Sequence, residues 1–545
     1  MFKRMVRLSA VAAVVFGLCA CGGNKKGSEV KSKDLQVMDQ LEIASTYDAS
    51  KPSVVPENAF VALKIMPEQL FNKAIGGANS RLARQWNQLK LSLVMMEPAF
   101  SDASKLGLCL DKPVFVTMSG DFKNIARNEA SIEMCLIASL SDRDAFIKAL
   151  DNLIEMSGEE LGASKDYSVD SYAHYLLSQD IDKALDLGVM SKVAVMRLSV
   201  DSEGDFKDLK ESMPKLFASN GKERPEGFKE FYTSTTDLSA WFDMEEALNT
   251  ILPVFKAYPA EAAAMIKMFE EYMPLYKGAS LVTDLDFKNG QTVLEFKLFG
   301  SEKLREYGMK YNAAASDKYF ENLPSTSVFV ANLAIKDLPG LVEEMSKTNP
   351  QMGEMMEYLE DSLDIDEEFL AGFNGLITFA LDGYMIDQRE VPGIVLYVEC
   401  DENVWELVEE NLDETAEMIS PYQYKVGDRM YIGYDGTAII AVEEETLRRS
   451  YNSNVSNFAN TPLAAEISEG GFALNLEALP TRLLNDFAEG TGIVTSGREL
   501  LKYVSSLTIS SSADHMTATI KLNMGDQSNN ILNKLLLLMT EQINF

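Results

Sequence analysis

Residues 56–70 read Pro56-Glu-Asn-Ala-Phe-Val-Ala-Leu-Lys-Ile-Met-Pro-Glu-Gln-Leu70. The apolar run Ala59–Ile65 predicts a β-strand. It stops at Met66-Pro67-Glu68, where the fixed φ of Pro67 suits a first helical position and Glu68 complements the helix dipole. The same passage from strand to helix recurs at Ser327–Leu341, and in weaker form at Leu238–Leu248 and Phe472–Leu479. Four copies of one turn point to a chain built by duplication.

Working outward from Ala59–Ile65, the first half predicts strand, helix, helix, strand, strand, helix. The helices are Glu68–Ile75 and Ser80–Met96, and the strands Pro113–Met118 and Ile132–Leu140. Asp142 then caps a helix that puts Phe146, Ala149, Leu150 and Leu153 on one face. Tyr172–Leu177 and Lys192–Val200 read as further strands, with a polar helical stretch between them near Asp180–Asp186. Lys207–Phe217 reads as a helix and Gly221–Gly227 as a surface loop. Ala279–Phe287 and Gln291–Phe299 read as a hairpin around Asn289-Gly290.

The second half repeats this order. Val328–Ile335 matches Phe60–Met66, Gly375–Leu381 matches Pro113–Met118, and Gly393–Cys400 matches Glu133–Leu140. Arg429–Gly433 and Thr437–Val442 stand in for Tyr172–Leu177 and Lys192–Val200, and Thr517–Leu522 echoes Val293–Leu298. The fold expected is α+β, a tandem duplication of mixed, largely antiparallel sheets flanked by helices. Its boundaries are a signal peptide over 1–20, a flexible tether over 21–53, one half over 54–320 and another over 321–545.

The chain has 545 residues, too many for a single core. Its 83 acids against 50 bases give a formal charge of −33, which repels nucleic-acid phosphate. At the N-terminus Lys3, Arg4 and Arg7 precede the apolar stretch Leu8–Leu18, which is short for a bilayer span. Leu18-Cys19-Ala20-Cys21 follows and reads as a bacterial lipobox, with Cys21 the residue to be lipidated. Gly22–Ser28 opens the polar tether, which carries a short helix near Leu35–Ile43. The expected location is the bacterial cell envelope, in the outer membrane, with a lipid such as palmitate as the anchor. Of the remaining cysteines, Cys109, Cys135 and Cys400 are either buried free thiols or, for Cys109 and Cys135, a bridge.

A lipobox, a tether and then a Pro-x-x-Ala-Phe-Val-Ala-Leu strand entering a short helix resemble the exported Bacteroidetes lipoproteins grouped as domain of unknown function 4836. The resemblance covers nearly all of the mature chain. It implies an envelope lipoprotein of unassigned activity and carries over no catalytic residue. Surface-exported members of that phylum place acids after the lipidated cysteine. Gly22-Gly23-Asn24-Lys25-Lys26 departs from that pattern and leaves periplasmic and surface exposure both open.

Catalytic motifs are scarce. His174 and His515, the two histidines, read as exposed or half-buried sheet residues, too few for a transition-metal shell. No Gly-x-Ser-x-Gly elbow, Walker loop or dinucleotide fingerprint occurs, and Ser212-Met213-Pro214-Lys215 fits Ser-x-x-Lys by letter alone. Neither a metal nor a cofactor is expected. The acid-rich stretches Glu354–Glu368 and Asp401–Glu417 read as solvated helix faces, with Trp405, Val408, Leu412 and Ile419 turned inward in the second. Met265, Met268 and Met273 form a core stripe. Met352, Met355 and Met356 form a second stripe that could line a deformable apolar groove. The reading is therefore a non-enzymatic protein acting by binding or structural interaction, held to the membrane by its lipid, with an unknown protein or small apolar ligand as partner. The alternative is a carrier or sensor for an apolar or peptide ligand, and behind it a carboxylate-based hydrolase.

Overall fold

In a computed structural model, residues 36–542 are described apart from 349–369 and shorter stretches, the longest being 89–102, 258–265 and 158–163. The signal peptide, Cys21, Met265, Met268, the groove stripe Met352–Met356 and the acidic run Glu354–Glu368 all lie outside the described residues. The chain forms two compact units, Met1–Asp286 with Leu298–Ser301, and Phe287–Lys297 with Glu302–Phe545.

The first unit holds β1 (Val61–Ile65), β2 (Val114–Asn124), β3 (Glu129–Ser139), β4 (Ser164–Val169) and β5 (Tyr172–Gln179). It continues through β6 (Lys183–Met190), β7 (Val193–Asp201), β8 (Leu238–Asp243) and β9 (Ser280–Lys288). Pairing is antiparallel throughout, in the order β9-β8-β1-β2-β3-β7-β6-β5-β4. The turn after β9 is Asn289-Gly290, where Gly290 takes a φ of 69°, the left-handed value that a hairpin of this kind needs and glycine supplies without strain. It leads into β10 (Gln291–Phe299).

The second unit contains β11 (Ser327–Ala334), β12 (Leu376–Asp382), β13 (Gly393–Glu399), β14 (Glu417–Ser420) and β15 (Gln423–Val426). After them come β16 (Met430–Tyr434), β17 (Ala438–Glu443), β18 (Gly471–Asn475), β19 (Ser506–Ser511) and β20 (Thr517–Asn523). Their antiparallel order is β10-β20-β19-β18-β11-β12-β13-β17-β16-β15-β14. From β19 onward this is the order of the first unit, strand for strand, so the fold is a duplicated α+β architecture. All four copies of the opening turn lead from a strand into a helix or helical turn, and they are neighbours in pairs: β1 beside β8, β11 beside β18.

The duplication extends to individual residues. Lys64 on β1 and Asn332 on β11 are both buried in the centre of a sheet. Lys64 Nζ donates to the carbonyls of Tyr232 (2.5 Å) and Ser234 (2.6 Å), just before β8. Asn332 Nδ2 donates to Ile467 O and Ser316 O, both at 3.1 Å, the former just before β18. Register carries the match outward. Lys64 faces Phe115, which faces Ile137, then Val195, then Gly188. Asn332 faces Thr378, which faces Tyr397, then Ile440, then Gly433. Gly188 and Gly433 are therefore equivalent, as are the cross-strand pairs Asp186–Arg197 and Tyr431–Val442.

Several sequence expectations need correction. The stretch near Asp180–Asp186 is not helical: Lys183–Met190 is the strand β6. Its polar look came from Asp186, which points inward and is paired. Arg429–Gly433 accordingly corresponds to β6 rather than to Tyr172–Leu177, whose counterpart is the short strand β15. The helix after Asp401 ends at Glu410, and Ile419 lies exposed on β14. The tether stretch is not free to its end either. Met38, Leu41, Ile43, Val54 and Val55 are buried in the first unit's core with Phe115, Phe228, Phe231 and Trp241, because these apolar residues cover a sheet face that would otherwise meet water. Asp142 does cap its helix, accepting from Ala145 N at 3.0 Å.

Candidate functional site

A cluster of charged side chains sits on the first sheet. Arg197 on β7 is fully buried beside Asp186 on β6, its cross-strand partner. Its Nε donates to Asp186 Oδ1 (3.0 Å) and its Nη2 to Asp186 Oδ2 (2.8 Å), a bidentate pair. Nη1 donates to Ser212 Oγ at 2.9 Å, and Nη2 also donates to Leu209 O at 2.8 Å. Glu133 on β3 stands 3.4 Å from Nη1. Asp186 Oδ2 is in turn 2.9 Å from His174 Nε2, so His174 lies on a strand but is a fully buried member of this cluster, where an exposed or half-buried residue was expected. His515 departs too, standing at a φ of 56° in the turn between β19 and β20.

Burial raises the pKa of Asp186, but Arg197 and His174 outweigh it and hold the carboxyl below its usual range. For Glu133 burial prevails over Arg197, and its pKa is raised. Burial pushes the Cys135 thiol up to about 12, so it is an inert core sulfur. Cys109, Cys135 and Cys400 are all free thiols. The arrangement binds strand, sheet and helix into one charged knot. Glu133, Arg197 and Ser212 also line the cleft beside it.

Two clefts lie in the first unit, the first of them against this cluster. One, of about 340 Å³, is lined by Glu133, Arg197, Ser199, Asp201 and Asp208. The other, of about 450 Å³, lies where the chain around Tyr47 and Val55 meets Phe217, Arg224 and Phe228. Arg224 Nη2 donates to Val55 O (2.5 Å) and Pro56 O (2.9 Å), while its guanidinium lies 4.6 Å from the Phe228 ring centroid. Tyr47 meets the same Phe228 edge-on at 5.1 Å. The second unit has a groove of about 310 Å³ walled by Tyr397, Tyr431, Ile440, Leu447 and Tyr451.

The chain matches the family described as Domain of unknown function (DUF4836) over residues 53–532. The chain belongs to this family. No curated protein matches it. Two solved structures of TP0453, crystal forms III and IV, are similar to part of this DUF4836 chain at 14% and 13% identity. They cover 48% and 44% of it and 86% and 76% of their own length, with a TM-score of 0.24 for each.

Within the DUF4836 fold the sequence reading missed both the charge cluster and the tyrosine groove. Asp186 and Arg197 stand 11 residues apart on the adjoining strands β6 and β7 and Glu133 lies 64 residues before Arg197, and only the register of β3, β6 and β7 brings them together. Of the methionine stripes, Met273 alone lies among the described residues and is half-buried. No group of three or more His, Cys, Asp or Glu that could hold a metal ion occurs among the described residues.

Lys64 carries a pH dependence. Burial pushes its ammonium down to about 8, with Asp284 opposing. A lysine whose folded pKa lies below its unfolded value binds fewer protons when folded, so its contribution to stability rises with pH between about 8 and its unfolded value, near 10.4. Unfolding of the wild type and of Lys64→Met, compared from pH 7 to 10.5, should show the difference moving in favour of the wild type as pH rises. A difference that stays flat would place the Lys64 charge in water.

Proposed function

We propose that this chain is a lipid-anchored protein of the bacterial cell envelope, in the outer membrane, acting by binding rather than by catalysis. The observation that carries the binding reading is the contrast between its buried chemistry and its open surfaces. His174, Asp186 and Arg197 spend their polar groups on one another, on Ser212 and on Leu209 O, while the cleft at Tyr47, Phe217 and Phe228 and the groove at Tyr397, Tyr431 and Tyr451 present aromatic walls. Such walls suit recognition of a partner surface or apolar group. The cleft at Tyr47, Phe217 and Phe228 favours a second reading, a carrier or sensor for an apolar or peptide ligand. A hydrolase would have to use Glu133 with Asp201 or Asp208, and Glu133→Gln should then abolish it while leaving partner capture unchanged.

The location rests on Lys3, Arg4 and Arg7, the apolar run Leu8–Leu18 and the lipobox ending at Cys21. No helix among the described residues is long and apolar enough to cross a membrane. Cys21→Ala should leave an unprocessed precursor that incorporates no labelled fatty acid. Normal maturation and labelling of that variant would remove the anchor from this account. Capture of the intact wild-type protein from its own membranes, with mass spectrometry of proteins and extracted small molecules, tests the binding reading. A stoichiometric partner or ligand supports it, and recovery of the bare chain opposes it.

A further inference from the structure

The polar cluster of the first unit is not repeated in the second. Register makes Ile137 and Tyr397 equivalent, so four residues earlier Gly393 stands where Glu133 does. Tyr431 and Val442 likewise take the places of Asp186 and Arg197. One strand order is built with these charges and without them, so the sheet itself does not require them.

Around Glu133 the charges do not cancel. Arg197 spends all five of its N–H groups, two on Asp186 and one each on Leu209 O, Ser212 Oγ and Glu133. Its charge is matched by Asp186. Glu133 receives only the long contact of 3.4 Å, and burial keeps its pKa raised, so its carboxylate is short of counter-charge. Asp201 and Asp208 line the same cleft, and Arg197 is the one base in that lining among the described residues. Across the β3–β7 ladder Glu133 faces Ser199. Ser199 is 7% exposed and lines the cleft, and its Oγ finds no hydrogen-bond partner among the described residues. A buried hydroxyl left unpaired is costly, and this one borders about 340 Å³ of space from which a partner can reach it.

We propose that this cleft binds a small organic amine, with its ammonium between the Glu133 carboxylate and Ser199 Oγ and its carbon skeleton against Phe206 and Leu209. Phe206 and Leu209 are the apolar side chains that line the cleft beside these polar groups. An ammonium brings three donors and no acceptor, which suits a carboxylate that faces a hydroxyl able to accept. Its bond to the carboxylate is of the strong, charge-assisted kind. An anion would meet Glu133, Asp201 and Asp208 with no unspent N–H of Arg197 to offset them. The site goes beyond the binding reading above, which rests on the aromatic clefts, and either can fail without the other.

The probe is putrescine, a linear diamine, titrated into the full chain by calorimetry at constant ionic strength. Saturable binding of one putrescine per chain is expected. Butanediol, of the same length but uncharged, should not displace it, and neither should magnesium chloride at matched ionic strength. Glu133→Gln and Ser199→Ala should each weaken binding at least about tenfold, the loss of a hydrogen bond to a charged group. Ser199→Ala gives up no hydrogen bond within the protein, so its melting temperature should equal or exceed that of the wild type. Its loss of binding is then a loss of the site and not of the fold. Absent binding to the wild type, wild-type affinity in Glu133→Gln or Ser199→Ala, or displacement by butanediol would overturn the proposal. Displacement by magnesium would overturn it too, as mere counter-ion attraction to an acidic chain. A chain that binds no putrescine yet captures a partner from membranes loses this site and keeps the binding reading.

Discussion

Arg197→Ala should destabilise the protein by about 3–5 kcal/mol, because it strands Asp186 in the core without its counter-charge. Both side chains are fully buried, and Asp186 receives two of the guanidinium's hydrogen bonds. The loss should be largest near neutral pH. Arg197 and His174 hold Asp186 below the usual carboxylate range, so the stability it contributes is present above about pH 4 and is lost as pH falls through its folded value. The second unit shows what the position tolerates without charge, since Tyr431 and Val442 stand where Asp186 and Arg197 do. Asp186→Tyr combined with Arg197→Val should therefore recover most of what Arg197→Ala loses, as buried ion pairs replaced by packed apolar groups often do. Urea midpoints of the wild type, single and double variants measure this. A cost below about 1 kcal/mol for Arg197→Ala would mean that the pair is solvated, as exposed pairs are.

Trp241→Ala should cost a similar 3–5 kcal/mol by opening a large cavity in the first core. Trp241 is fully buried on β8, with the Phe228 ring edge-on at 5.0 Å and the Arg224 guanidinium 5.8 Å away. Phe228 in turn holds Tyr47 on the segment that covers this core. The cavity should therefore loosen residues 38–57, and hydrogen exchange of Leu41, Ile43 and Val55 amides should accelerate with the loss of stability. Trp241→Phe should cost much less, because the indole Nε1–H finds no acceptor among the described residues and its removal forfeits no hydrogen bond. Equal losses for the two variants would show that the indole makes a polar contact, and unchanged exchange at residues 41–55 would detach that segment from the core.

The duplication was legible in sequence because its signal is local. A strand that ends in a proline or acid and enters a helix can be seen wherever it recurs, as at Ala59–Ile65 and Ser327–Ala334. The hairpin at Asn289-Gly290 was equally plain, since its turn chemistry is carried by two adjacent residues. What was missed depends on cross-strand register, which the sequence does not display. Lys183–Met190 read as polar because Asp186 was assumed to face water, and only Arg197 makes its burial affordable. Met38, Leu41 and Ile43 are too few and too scattered to announce a core segment, yet the exposed face of the first sheet gives them a place to pack. The tyrosine groove had no signal of its own. Tyr397, Tyr431 and Tyr451 line it together only once the registers of β13, β16 and β17 are set.

The central claim is that the two halves carry one strand order in one register, so that equivalent residues face the same way. Thiol accessibility at matched positions of β1 and β11 tests this most directly. Ala62→Cys with Val330→Cys on the covered face, and Leu63→Cys with Ala331→Cys on the other, each made in a Cys109→Ser background, would be treated with a small apolar maleimide under native conditions, alongside an unfolded control. The account predicts faster labelling of the thiols at 63 and 331 and labelling of those at 62 and 330 only on unfolding, since both of the latter positions are fully buried. Labelling that differs between the two members of either pair, or equal labelling of all four thiols, would contradict it.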